Sequence, residues 1–172
     1  MSLFIKLLNC RSHIIFLSNV KGLIKMNKSE QAMYYFENGC NCSQAVLMAY
    51  AEELNIEKDI VQKVAVTFGG GMSKAGKTCG CLSGALMVLG LKYGEKSAEI
   101  LSQRISAYNQ GGKFIKLFNE EFGATECKEL IKLDLNKKDD MEKAQKEVFG
   151  NRCKRMVSKT VELLEENFMK DL

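Results

Sequence analysis

Residues 79–93, CGCLSGALMVLGLKY, decide the fold class of this 172-residue chain. Apolar side chains recur every three or four positions after Cys79, which is the period of an α-helix buried along one side. This stripe comprises Leu82, Leu86, Leu89 and Tyr93. Thr78, a residue type that favours helix N-caps, stands directly before Cys79. The stretch therefore predicts a core-facing helix that begins at a cysteine.

Three other cysteines have the same surroundings. Asn41 precedes Cys42, and the cap-forming residues Thr125 and Asn151 stand two positions before Cys127 and Cys153. The apolar stripes that follow are Cys42, Val46, Ala49; then Cys127, Leu130, Ile131; then Cys153, Val157, Thr160, Leu164, Phe168. Amide groups at a helix N-terminus favour a thiolate over a thiol. A single cysteine of this kind is ordinarily a small buried hydrophobe. Four of them predict a shared site, in which Cys42, Cys79, Cys127 and Cys153 are the catalytic residues or, alternatively, the metal ligands.

Helical periodicity extends over most of the chain. The predicted helices are 29–38, 41–54, 57–68, 79–93, 95–121, 126–132, 139–147 and 152–170. The predicted core face of 95–121 comprises Ala98, Leu101, Ile105, Tyr108, Ile115, Phe118 and Phe122. The pair Gly111-Gly112 is expected to kink this helix or to let another backbone approach closely. Because the chain has no proline and no strong alternating pattern, it predicts an all-α, compact single-domain bundle of about six to seven helices.

Charge separates the first residues from the rest. Residues 1–28 carry five Lys or Arg and no acid, whereas the remaining chain is almost neutral. We expect residues 1–25 to be an extension outside a domain that spans 26–172. A neutral domain without a basic stripe argues against nucleic-acid binding, and no uncharged apolar run approaches the ~20 residues of a membrane span.

Residue counts narrow the chemistry further. Seven cysteines at long, irregular spacings, in a chain large enough to bury a core, do not indicate a secreted disulfide framework. A reducing cytoplasmic location is therefore expected. The single histidine, His13, lies in the predicted extension, which excludes a Ser-His-Asp triad, a Cys-His pair and a histidine zinc site in the domain.

Residues 71–78, GMSKAGKT, match the phosphate-binding P-loop pattern. In such a loop Lys77 would contact the phosphates of a nucleotide. A P-loop also needs a parallel sheet and an acidic residue at the end of a second strand, and the sequence predicts neither. The favoured interpretation assigns Thr78 to helix capping and the glycines to a tight loop before Cys79, with nucleotide binding as a less favoured alternative.

The cysteine pattern resembles that of a family of redox-active proteins named C_GCAxxG_C_C. The matching stretches are Asn41-Cys42-Ser43-Gln44-Ala45-Val46, Phe68-Gly69-Gly70-Gly71-Met72, Cys79-Gly80-Cys81-Leu82-Ser83-Gly84-Ala85-Leu86, Phe122-Gly123-Ala124-Thr125-Glu126-Cys127 and Cys153. The resemblance covers about residues 33–168. It departs at Cys81, where the family has alanine, and at the additional Cys40. Secondary site candidates are Cys40, Cys81, Gly80 and Gly84; the resemblance implies redox chemistry but no substrate.

Two mechanisms remain open from the sequence. In one, a pair such as Cys42 and Cys79 cycles between dithiol and disulfide, with Cys127 and Cys153 as resolving thiols or a second pair. In the other, the four thiolates bind an iron–sulfur cluster or zinc; a purely structural zinc site is the non-enzymatic version. Both require the four cysteines to lie close together. The redox partner is not specified, and a homodimer is compatible with the sequence.

Overall fold

The computed structural model describes residues 26–94 and 100–170. Within these ranges the regular structure is helical, and the all-α prediction is confirmed. The helices are α1 Lys28–Glu37, α2 Cys42–Ala49, α3 Lys58–Ala65, α4 Gly80–Tyr93, α5 Ile100–Phe122, α6 Cys127–Ile131, α7 Lys138–Lys143 and α8 Lys154–Phe168, with a 3₁₀ turn Val66–Phe68, a short turn Gly69–Met72 and a π-helical stretch Ala144–Cys153. The predicted extension, residues 1–25, lies outside the described residues. None of the described helices is both long enough and apolar enough to cross a bilayer.

Capping boxes start the first two helices. The Asn27 side chain accepts a hydrogen bond from the Glu30 amide, and the Glu30 carboxylate accepts one from the Asn27 amide, both at 2.9 Å. Asn41 and Gln44 repeat this exchange at the start of α2, with both bonds at 3.0 Å. Each box satisfies amides that a helix N-terminus leaves unpaired. The predicted capping of the Cys42 helix by Asn41 is therefore confirmed.

Helix α2 lies in the centre of the bundle, and every residue from Ser43 to Ala49 is buried. It packs mainly against α1 and α4. The contact with α4 is close because glycines face it: a Cβ atom on Gly84 would lie 2.8 Å from the Ser43 carbonyl oxygen, and one on Gly80 would lie 3.0 Å from Cys42 Cβ. This approach places Cys42 against the segment that contains Cys79 and Cys81.

Helix α8 closes the bundle with one apolar face. Its buried residues include Met156, Val157, Val161, Leu164 and Phe168, as the predicted stripe requires. The Phe168 ring lies 5.6 Å from the Phe114 ring of α5, and the buried Tyr50 hydroxyl donates to the Glu165 carboxylate at 2.8 Å. These contacts fix α8, and with it Cys153, against the centre of the bundle.

The predicted core face of α5 is wrong at four of its positions, and the predicted Ala98 lies outside the described residues. Leu101, Ile105, Tyr108 and Ile115 are between 40% and 72% exposed, whereas the buried residues are Gly111, Phe114 and Phe118. The helix has apolar residues on two faces, and periodicity cannot decide which face meets the core. Gly111 allows close packing, since a Cβ there would lie 3.3 Å from the Leu86 side chain, and the helix continues through Gly111-Gly112.

The two predicted C-terminal helices form one continuous helical run from Lys138 to Phe168. The sequence predicts a break between residues 147 and 152 with Asn151 as a cap, but the π-helical stretch passes through this position. The Asn151 side chain does not cap a helix; its Nδ2 donates to the Glu147 carbonyl, one turn back, at 3.2 Å. Cys153 therefore lies inside a helix rather than at an N-terminus.

Candidate thiol site

The loop before α4 has an unusual backbone. Five consecutive residues, Gly70 to Lys74, have positive φ angles between 53° and 70°. L-residues other than glycine adopt this region at a cost. Gly71 cannot be replaced freely, since a Cβ there would lie 2.5 Å from the Lys77 carbonyl oxygen and 2.6 Å from Cys127 Cβ. The loop is thus folded tightly against Cys127.

An isolated antiparallel bridge between Thr78 and Glu126 joins the loop to the start of α6. The Cys79 amide donates to the Thr125 carbonyl at 2.8 Å, and the Cys127 amide donates to the Lys77 carbonyl at 2.7 Å. Cys79 and Cys127 lie diagonally across this bridge, where side chains share one face. The bridge therefore holds these two cysteines as neighbours.

The bridge also corrects two predicted caps. The N-cap of α4 is Cys79 itself and that of α6 is Glu126, and neither helix start has a side-chain capping bond. Thr78 and Thr125 are not the caps that the sequence predicts. Both lie in the bridge region, whose pairing joins parts of the chain that are far apart in sequence.

Five free thiols converge at this point. The Cys42 side chain is hydrogen-bonded to those of Cys153 and Cys81, and Cys81 is also hydrogen-bonded to Cys79. Cys127 lies close enough for Cys79 and Cys42 to affect its ionisation. We refer to Cys42, Cys79, Cys81, Cys127 and Cys153 as the thiol cluster. The structure thus brings the four predicted cysteines together and adds Cys81, which the sequence ranked only as a secondary candidate.

Exposure differs sharply within the thiol cluster. Cys42 is partly exposed, whereas each of the other four cysteines is at most 7% exposed. The secondary candidate Cys40 is buried but is not a free thiol. Of the cluster, Cys42 is the residue most open to an external reactant.

The pKa shifts also separate Cys42 from the buried cysteines. Hydrogen bonds from Cys153 first and Cys81 second lower the pKa of Cys42 well below its ordinary value, with a further contribution from its own backbone amide. The hydrogen bond to Cys42 is the largest factor that raises the pKa of both Cys81 and Cys153. Burial raises the pKa of Cys127 to about 12. The arrangement favours a thiolate at Cys42 that is hydrogen-bonded to the protonated thiols of Cys81 and Cys153.

The expectation that helix N-termini would activate all four cysteines is therefore wrong for Cys127 and Cys153. Burial outweighs the short helix α6 at Cys127, and Cys153 is not at an N-terminus. The cations that stand closest to these cysteines in the sequence are engaged elsewhere or exposed. Arg152 donates to the Leu130 carbonyl, Lys128 and Lys154 pair with Glu126 and Glu37, and Lys77 is exposed.

The P-loop alternative does not fit this geometry. The segments before the motif are α3 and the turn Val66–Phe68, not a strand. The amides of residues 73–77, which would have to surround a phosphate, donate instead to carbonyls of the loop itself at 2.8–3.4 Å. The motif match thus serves the tight loop beside the thiol cluster.

The metal alternative has no preformed geometry. Across residues 26–94 and 100–170, no group of three or more His, Cys, Asp or Glu side chains is positioned to hold a metal ion. Four of the thiols form instead a hydrogen-bonded chain in the order Cys153, Cys42, Cys81 and Cys79. Pairwise contact between sulfur atoms is the starting geometry for disulfide exchange.

Comparison with known proteins supports the resemblance seen in the sequence. A family model described as "Putative redox-active protein (C_GCAxxG_C_C)" matches residues 40–167, well over half of the chain. The matched range contains the whole thiol cluster. No curated protein and no solved structure matches the chain.

Proposed function

We propose that this chain, which belongs to the C_GCAxxG_C_C family, is a dithiol/disulfide redox protein in which Cys42 is the attacking thiolate and Cys153 the resolving thiol. One observation supports this assignment above all: the only partly exposed thiol of the cluster is hydrogen-bonded to Cys153 and has a lowered pKa. The pair differs from the Cys42 and Cys79 pair that the sequence offered as an example.

The reaction has two exchange steps. The Cys42 thiolate attacks one sulfur of an external disulfide, a Cys42–substrate bond forms, and the other substrate sulfur leaves as a thiolate that takes up a proton. Cys153 then loses its proton and attacks Cys42 Sγ. The Cys42–Cys153 bond forms and the second substrate thiol departs with that proton. The substrate disulfide is reduced by two electrons, and the Cys42–Cys153 pair is oxidised by two.

Each step uses a property of the site. Partial exposure gives the external disulfide access to Cys42, and the lowered pKa supplies the thiolate at neutral pH. Cys153 is almost completely buried but already contacts Cys42, so the second step needs little rearrangement. After Cys42 has joined the substrate it carries no negative charge, and the main factor that raises the pKa of Cys153 is absent.

The test begins with reduced, anaerobically purified protein. We expect Cys42 to be alkylated by iodoacetamide with a pH midpoint below that of an ordinary thiol, and Cys153→Ala to raise this midpoint because the first hydrogen-bond donor is lost. Oxidised glutathione should convert two thiols into a Cys42–Cys153 disulfide that peptide mapping identifies. Cys127→Ala, which has no hydrogen bond to Cys42, should retain that disulfide.

Two results would contradict the proposal. Cys42 could remain reduced while other cysteines form disulfides, which would exclude it as the attacking residue. Alternatively, the anaerobic protein could contain stoichiometric iron or zinc that protects the four family cysteines from alkylation, which would establish the metal-binding alternative.

A further inference from the structure

Cys81 is the member of the thiol cluster that the family pattern does not require. It is fully buried, with 0% exposure, and its side chain is hydrogen-bonded to Cys42 on one side and to Cys79 on the other. Gly80, directly before it, lies so close to α2 that a Cβ would meet Cys42 Cβ at 3.0 Å. This close packing holds Cys81 against Cys42.

We propose that Cys81 is a second resolving thiol for Cys42, so that the disulfide of the oxidised protein can move from Cys42–Cys153 to Cys42–Cys81. This inference rests on the proposed function. It assigns two oxidised forms of equal redox level to one chain, because Cys42 contacts two buried thiols rather than one.

The exchange balances without an external reactant. The Cys81 sulfur attacks Cys42 Sγ, the Cys42–Cys81 bond forms, and the Cys42–Cys153 bond breaks. Cys153 leaves as a thiolate and receives the proton that Cys81 loses. One disulfide and one thiol are present before and after the step, so nothing is oxidised or reduced overall.

Contacts favour Cys81 over the two remaining thiols. Cys79 is hydrogen-bonded to Cys81, and no hydrogen bond links it to Cys42. Cys127 is held beside Cys79 by the Thr78–Glu126 bridge, and Cys42 acts on it only through charge. An alanine at position 81 would leave Cys42 hydrogen-bonded to Cys153 alone among the thiols.

The experiment compares variants of the full-length chain oxidised with diamide and mapped after free thiols are blocked. Cys153→Ala should still form a disulfide at Cys42, now with Cys81. Adding Cys81→Ala should abolish that crosslink. Adding Cys79→Ala instead should retain it, which is the matched control because residues 79 and 81 flank the same glycine. Cys153→Ser serves as a second version that nearly preserves volume, and circular dichroism verifies folding.

The outcomes separate this inference from the proposed function. If wild-type protein forms Cys42–Cys153 but the Cys153 variants leave Cys42 reduced, the role of Cys81 is overturned and the proposed function stands. A Cys42–Cys79 crosslink in the Cys153 variants would also overturn it. If wild-type protein forms no disulfide at Cys42, both are overturned.

Discussion

Two glycines of α4 allow a direct measurement of how far the site depends on close helix packing. At Gly84 a Cβ would lie 2.8 Å from the Ser43 carbonyl oxygen and 3.0 Å from Val46 Cβ, whereas at Gly90 no atom of another segment lies within 4 Å. In both cases alanine gains about 0.5–1 kcal/mol of helix stability over glycine. At position 84 overpacking against the α2 backbone costs about 1–3 kcal/mol. We therefore expect Gly90→Ala to stabilise the protein and Gly84→Ala to destabilise it.

The assay is urea unfolding of the reduced proteins, with the pH midpoint of Cys42 alkylation as a second readout. Gly84→Ala must move α2 away from α4, which weakens the hydrogen bond between Cys42 and Cys81 and raises the pKa of Cys42 towards its ordinary value. Gly90→Ala should leave that midpoint unchanged. Equal free energies of unfolding for the two variants would refute the packing argument.

Three further predictions concern single residues. The pKa of Cys127 is raised in the folded state from its ordinary value of 9.0 to about 12, so this thiol contributes stability at neutral pH that is lost as the pH rises through that range. The free energy of unfolding of Cys127→Ala should therefore fall less steeply between pH 9.0 and about 12 than that of wild type. Lys77→Ala should change neither the melting temperature nor Cys42 alkylation, and calorimetry should detect no ATP binding to either protein, because the loop amides are already hydrogen-bonded. Arg152→Gln removes the 2.7 Å bond to the Leu130 carbonyl and should cost about 1 kcal/mol in urea unfolding; an unchanged midpoint would mean that this bond is not needed.

Local patterns in the sequence predicted local structure well. Asn41 caps α2 because its partners, Ser43 and Gln44, lie two and three residues away and are visible in the sequence. Residues 79–93 predicted α4 to within one residue because their apolar side chains are buried in the centre of the bundle. The stripe after Cys153 was correct for the same reason.

Features that depend on distant partners were not predictable in this way. Thr78 is a residue type that favours helix N-caps, but the paired segment around Glu126 fixes its backbone. Asn151 is a residue type that favours an N-cap, yet the helix continues past it, and the neighbouring Arg152 is bonded to Leu130 of α6. In each case a tertiary contact outweighs a local preference.

The ionisation order of the cysteines depends on position as well as residue type. The Asn41 side chain donates to the Val66 carbonyl at 2.9 Å and fixes the start of α2 at the edge of the cluster, so Cys42 keeps some exposure while Cys81 and Cys153 are buried behind it. The hydrogen bond to Cys42 is the largest factor that keeps these two thiols protonated, and burial adds to it; a protonated thiol is what can donate a hydrogen bond to a thiolate. The lowered pKa of Cys42 and the raised pKa values of Cys81 and Cys153 are therefore one effect. Neighbouring thiols contribute more to the activation of Cys42 than its own backbone amide at the start of α2 does.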